Sequence, residues 1–383
     1  MLLLDPHSNS FGLGGVRHVI TLLMVLAAAL VVFQGGGRRI FSVPLINLLL
    51  LLMVLQIGGS ILWLLPGGRD PSYSFLGRGL NILSVLGGAA IALEPRCLAW
   101  VSRRYLMIFV PVSVIIVLLL TAHSFHLFMG GQRQVYHVEF VYAVSVLTYF
   151  ATRSSSHMLK FGIAFLCILN GVLAGKSTFY LLAMLSLGCT YGLALLPRLQ
   201  AMTRRLTRRA RQAMLVLLTP GALGVALIAL GLVAVIVIQR STKYEYDPRR
   251  VAYALRWEQF TSSPLYGKLF VDTTDIGAYV HLFGVPSHND LLDLMAEGGI
   301  LGLLLFLIPV GSAILGSTAR QIMTTSGPQL RFANYLWFFL IFYSVAAMGN
   351  PFLADPVLAA PIWFAVGALL MQNAQRRLRW QGS

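Results

Sequence analysis

His288 is the side chain best suited to moving a proton. It sits in Val285-Pro286-Ser287-His288-Asn289-Asp290, a polar stretch that runs directly into an apolar segment beginning at Leu291. Ser287 is a good N-cap, and Asp290 three residues on completes a capping-box pattern. Pro286 keeps the chain before the cap out of helix. His288 then falls in the first helical turn, where the positive end of the helix dipole disfavours the imidazolium form. A neutral imidazole can accept a proton, which is the work of a general base. The same histidine would serve equally well as a surface or capping residue. On a helical wheel His288 shares a face with Leu292, Met295 and Gly299, while Asn289, Asp290, Asp293 and Glu297 fall on the other side. No carboxylate of its own helix is placed to orient it. Gly298, Gly299 and Gly302 are expected to be close-packing points between membrane helices.

Cations are the second set. Asp247 is an N-cap and Pro248 suits the first helical position, so a helix is expected from Arg249 to about Thr261. Arg249, Tyr253, Arg256 and Phe260 recur at helical spacing, which puts two guanidiniums and two rings on one face. Arg240, Lys243, Arg250 and Lys268 add positive charge around it. Arginine forks hold phosphate oxygens bidentately, so the cluster suits a lipid-linked phosphate or diphosphate. A headgroup-binding interfacial helix with no substrate would look the same. Lys176, in Gly175-Lys176-Ser177-Thr178, adds a further cation. Its letters are like the end of a nucleotide phosphate loop, but no strand precedes it and the glycine spacing is one residue short. Lys176 is therefore a phosphate contact or a snorkelling anchor. His123, His126 and His137 lack carboxylate or cysteine partners at ligand spacing, so no metal and no other cofactor is expected.

These residues must be positioned by helices in a membrane. Of the 383 residues, 57% are hydrophobic and 11% charged, which excludes an ordinary soluble domain. The expected fold is all-α, a polytopic bundle of about eleven spans (about 10–12) with one larger outer loop containing short helices. The spans fall roughly at 18–34, 41–65, 74–93, 105–123, 137–152, 158–174, 177–197, 213–239, 298–316, 332–349 and 356–372. The third carries Arg78 and the fifth Glu139, both near span ends. The chain divides into a bundle over 1–239, an outer loop over 240–297, and a bundle with a tail over 298–383. The start, Met1-Leu2-Leu3-Leu4-Asp5, is too short for a cleavable signal, so insertion is left to the first span. Cys97, Cys167 and Cys189 have no paired spacing.

The net charge of +16 is sorted by side. One set of connections carries Arg38, Arg39, Arg96, Arg103, Arg104, Arg153 and Lys160. The same set carries the run Arg198–Arg211, then Arg320, Arg331, Arg376, Arg377 and Arg379, with Glu94 as its one acid. That is the positive-inside pattern. It assigns these residues to the inner face and the Arg240–Glu297 loop to the outer face. Membrane lipids, not nucleic acid, are the partners this charge implies.

The motifs together carry a family resemblance. His288-Asn289 followed by Gly299-x-x-Gly302 resembles the His-Asn…Gly-x-x-Gly signature of the O-antigen polymerase and O-antigen ligase superfamily. Arg249-x-x-x-Tyr253 and Ser263-Pro264-Leu265-Tyr266-Gly267 are similar to its Arg-x-x-x-Trp…Pro-Leu-x-Gly segment. Gly175-Lys176 stands where members commonly have Ser-Arg. The likeness spans roughly residues 165–315. The chain departs from the pattern at three points: Lys176 replaces an arginine, Tyr253 a tryptophan, and Leu269 the second glycine of Gly-x-Gly.

The resemblance implies a bacterial inner-membrane glycosyltransferase with its active site on the periplasmic side. It implies a glycan on a polyprenyl diphosphate as donor, without metal, and a flippase and a chain-length regulator as partners. A polymerase of exopolysaccharide or O-antigen is the first reading, because the outer loop is compact. A ligase acting on lipid A–core is the alternative. His288 would deprotonate the acceptor hydroxyl. Arg249, with Arg256, Arg250, Arg240 or Lys176, would hold the diphosphate, with Asn289 and Tyr253 beside the substrate. The rival from another class is a glycan or lipid-linked glycan transporter. It would need functional charges inside the spans, and none is expected beyond Arg78 and Glu139.

Overall fold

The computed structural model describes residues 26, 30, 37–64, 76–131, 139–174, 177–192, 248–270, 290–323, 328–346, 353 and 356–381. Among these every regular element is a helix. In chain order they are α1 (Gly37–Phe41), α2 (Pro44–Leu64), α3 (Leu76–Asn81), α4 (Ser84–Leu93), α5 (Pro95–Met129) and α6 (Glu139–Ala151). They continue with α7 (His157–Ala174), α8 (Ser177–Gly192), α9 (Pro248–Ser262), α10 (Asp290–Met323), α11 (Pro328–Ala346) and α12 (Pro356–Gln381).

Four described helical stretches are long and apolar enough to cross a membrane: Pro44–Leu62, Arg104–Met129, His157–Ala174 and Asp290–Thr318. Arg78–Leu93, Phe140–Ala151, Thr178–Gly192 and Phe332–Ser344 are apolar but shorter. The expected spans 18–34 and 213–239 lie outside the described residues, apart from Leu26 and Leu30, which are helical.

Two expected boundaries move. The connection expected over 124–136 is helical as far as Met129, and Arg96 and Arg104 belong to the first turns of the same helix. Glu94 explains where α5 starts: its carboxylate accepts from the Arg96 amide, and Pro95 takes the first position. At about 1.5 Å per residue the 35 residues of α5 reach roughly 52 Å, well beyond a hydrocarbon core of roughly 30 Å. Second, the expected third span is broken. α3 ends at Asn81 and α4 begins at Ser84, with tightened turns in which Ile82 and Leu83 donate to Gly79 and Leu80.

Small residues let the helices approach. A Cβ on Gly88 would collide with the Phe364 carbonyl, and one on Gly367 with the Val85 carbonyl, so α4 and α12 touch backbone to backbone. Buried polar side chains bond between helices as well. Ser124 and Thr121 of α5 pair with Asn170 of α7, and Thr148 of α6 with Ser186 of α8. Met107, Ile108, Ile115 and Leu118 make α5 apolar on its exposed side. On a membrane helix that is the lipid-facing side.

Candidate functional site

α9 runs over Pro248–Ser262, close to the expected span, and Pro248 opens it as its fixed φ allows. It packs against the head of α10. Between them the chain turns through Ser263–Phe270, and this turn meets a break in α10. At Gly299 the backbone leaves the helix, with φ 61° and ψ −160°. A break of this kind strands peptide groups that an unbroken helix would pair, and in a membrane each stranded group costs several kcal/mol.

The turn supplies the missing partners. The Ile300 amide donates to the Pro264 carbonyl at 2.8 Å, and the Leu301 amide to the Leu265 carbonyl at 3.0 Å. In return the Glu297 carbonyl accepts from the amides of Lys268 (3.0 Å) and Phe270 (3.1 Å). Gly267, at φ 57°, lies so close that a Cβ there would come within 2.7 Å of the Glu297 carbonyl. A Cβ on Gly299 would come within 2.5 Å of Leu265. The Phe270 ring fills the space left by Gly298 and Gly302, and Gly59 of α2 meets the Leu269 carbonyl from the other side. The expected helix–helix role of Gly298, Gly299 and Gly302 is therefore corrected. They receive a turn and one aromatic ring, because a broken helix offers hydrogen bonds that a second helix could not use.

Beside this lock lies a buried charge cluster. Asp290, Asp293 and Glu297, three, four and seven residues apart, share one face of α10. All three are at most 2% exposed. Arg256 of α9, 4% exposed, reaches two of them. Its Nε lies 3.3 Å from Asp293 Oδ1, and one terminal nitrogen donates to Glu297 Oε1 at 2.5 Å. Gln259 accepts from the same guanidinium at 2.7 Å and donates to Glu297 Oε1 at 3.1 Å. From the opposite side Arg78 of α3 approaches Asp293 Oδ2 at 3.3 Å. Asp290 Oδ2 accepts the Leu353 amide at 3.0 Å, so its carboxylate ties the connection before α12 to the head of α10.

The proposed site residues divide accordingly. Arg256 is in the cluster, engaged by carboxylates. Arg249, Arg250 and Tyr253 lie on the first turns of α9, with side chains outside the described part of the structure. Lys176, Arg240, His288 and Asn289 lie outside the described residues, and so does Ser287 of the expected capping box. The described start of α10 follows His288 by two residues. The loop boundary expected at 297/298 falls inside α10, which runs from Asp290 through the Gly299 break.

No protein-family model matches the chain, and no curated protein sequence matches it.

Sequence reasoning missed Arg78, Gln259, Asp290, Asp293 and Glu297 as a unit. A signal was present. Three acids on one face at the start of an apolar span need cations, since isolated charges are not left in a membrane interior. The expectation that charge inside the bundle is confined to Arg78 and Glu139 is corrected for the same reason. Asp293 and Glu297 belong to a helix of spanning length, and their cost is offset by two arginines from elements distant in sequence.

Proposed function

We propose that the chain is a glycosyltransferase that polymerises or transfers polyprenyl-diphosphate-linked glycan units at the outer face of a bacterial inner membrane. The observation that carries this reading is the lock between Pro264–Phe270 and Glu297–Leu301. The two segments that resemble the superfamily's motifs, far apart in sequence, hydrogen-bond to each other around the same two glycines. Motifs that interlock are parts of one device.

The chemistry is a displacement at the anomeric carbon. His288 accepts the proton of an acceptor hydroxyl, the oxygen bonds to the anomeric carbon, and the bond from that carbon to the diphosphate oxygen breaks. The polyprenyl diphosphate leaves with the electron pair. Arg249, with Arg250, Arg240 or Lys176, stabilises the charge it carries away. Arg256 holds α9 on the head of α10 through Asp293 and Glu297. Its role is positioning, not phosphate binding. Neither nucleotide nor metal is needed, because the diphosphate is already an activated leaving group.

Transport of a glycan or lipid-linked glycan is the second reading. The buried charges of Asp293, Arg256 and Glu297, with the partly buried Arg78 beside them, favour it, since a transporter keeps charge inside its bundle. Purified protein given a polyprenyl-diphosphate glycan, with and without a lipid A–core acceptor, separates the readings. Longer lipid-linked glycan means polymerase, and glycosylated lipid A–core means ligase. Unchanged glycan in both tubes, with movement of the lipid-linked glycan across a vesicle wall, would replace glycosyl transfer by transport.

A further inference from the structure

The start of α7 joins three features that suit an anion with a lipid tail. The first is the helix end itself. Ser156 caps it, its Oγ accepting the Leu159 amide at 3.3 Å. The amides of His157 and Met158 remain open, since the first turn of this 18-residue helix has no earlier helical carbonyl to accept them. Open amides at the positive end of a helix dipole favour an anion. Taken alone, this would describe any helix start.

Lys160 supplies the second feature. It is 7% exposed, although it is a lysine in the first turns of a helix of spanning length. Its Nζ sits 5.2 Å from the centre of the Tyr191 ring of α8, and among the described residues no carboxylate or other acceptor reaches it. The sequence around it explains why. α6, α7 and α8 hold one acid, Glu139, at the end of α6 away from this turn. A buried lysine ordinarily has an ionic or hydrogen-bonded partner. Tyr191 also fixes where the amine stands. His157 stacks on the same ring with centroids 5.9 Å apart, and its Nδ1 lies 2.9 Å from the Tyr191 hydroxyl. The amine is thus held at the level of the first turn, in the direction that helical side chains lean. When the tyrosine hydroxyl donates to Nδ1, a neutral ring carries its proton on Nε2, a further donor on an exposed side chain.

The third feature is apolar. Met158, Phe161 and Phe165 are 87%, 55% and 63% exposed and recur at helical spacing, so they form a stripe along α7. On a membrane helix such a stripe faces lipid chains. Phe161 also meets the Tyr191 ring, at 6.2 Å between centroids, so the stripe adjoins the amine.

We infer that the start of α7 is a binding site for one anionic phospholipid. Its phosphate oxygens accept from Lys160 Nζ, His157 and the open amides, and its chain lies along Met158, Phe161 and Phe165. A free phosphate has the same head chemistry but no use for the stripe. The basic residues on this side, Arg153 among them, assign the lipid to the inner leaflet. The site is independent of the glycosyl-transfer reading.

The test strips the purified full chain of lipid in detergent and offers it dioleoyl phosphatidylglycerol, dioleoyl phosphatidylcholine or sodium phosphate. Native mass spectrometry weighs what stays bound. One phosphatidylglycerol should be retained about fivefold better than phosphatidylcholine, the scale of one added cation at a membrane surface. Lys160→Met should bring the two lipids level, and Lys160→Arg should keep the preference. Ser156→Asp keeps a capping oxygen and puts a carboxylate beside the open amides. It should abolish the preference while the unfolding midpoint stays at the wild-type value. Equal retention of both lipids by wild type overturns the site, and so does a preference that survives Lys160→Met or Ser156→Asp. Displacement of the lipid by inorganic phosphate would mean that the site takes a free anion, and the lipid assignment fails. Retention unchanged under phosphate supports it.

Discussion

Arg256 can bridge two carboxylates because Asp293 and Glu297 are one helical turn apart and its own fork spans that distance. The pair of acids is tolerable in the bundle only while a cation sits between them. Arg256→Met should therefore cost about 3–5 kcal/mol of stability, the usual penalty for leaving a buried charge without its partner. Adding Glu297→Gln should return part of that loss. Thermal unfolding in detergent reads both, and a wild-type midpoint for Arg256→Met would show that the cluster contributes nothing. For the reaction itself, His288→Ala should abolish product while its unfolding midpoint stays at the wild-type value, since the residue is proposed to move a proton. Arg249→Lys keeps the charge and loses the fork. It should lower turnover strongly, and full turnover would reduce Arg249 to generic charge.

At the scale of the element, the break in α10 and the turn after α9 stand or fall together. Gly267 and Gly299 have left-handed φ and no room for a Cβ. Gly267→Ala pays the left-handed penalty of roughly 1–2 kcal/mol and must also push the Glu297 carbonyl away. It should cost at least about 2 kcal/mol. Leu269 makes the opposite case. Its φ is 50°, a conformation that suits glycine, and it stands where the resembling pattern has its second glycine. Its side chain is 44% exposed, so little packing is lost by removing it. Leu269→Gly should leave the unfolding midpoint unchanged or raise it. A fall as large as that of Gly267→Ala would mean that the strain assigned to position 269 is absent. Phe270, at φ 62°, is held by the same lock, and its ring, seated against Gly298 and Gly302, explains why the conformation persists.

For the whole molecule, the sidedness read from charge has a direct test. Lys268 is exposed on the turn after α9, and Ser155 is exposed between α6 and α7 beside the basic Arg153 and Lys160. In a background without native cysteines, Lys268→Cys should react with a membrane-impermeant maleimide from the outside of intact cells, and Ser155→Cys only after permeabilisation. The reverse pattern would put the motif lock on the cytoplasmic side and end the proposed periplasmic reaction.

Composition and hydrophobic run length alone determined that this chain is helical and membrane-like, because those signals are local and repeat along each helix. Pro248 fixed one end of α9 for the same reason. The acid stripe at Asp290, Asp293 and Glu297 was visible as spacing on one helix, but nothing local names Arg78 or Arg256 as its partners. The glycines at 298, 299 and 302 likewise looked like helix contacts until the turn at Pro264–Phe270 was seen to fill them. Only tertiary structure decides such matters. Charge pairing and the rescue of stranded backbone groups depend on which segments meet, and those segments lie about 30 to about 215 residues apart along the chain.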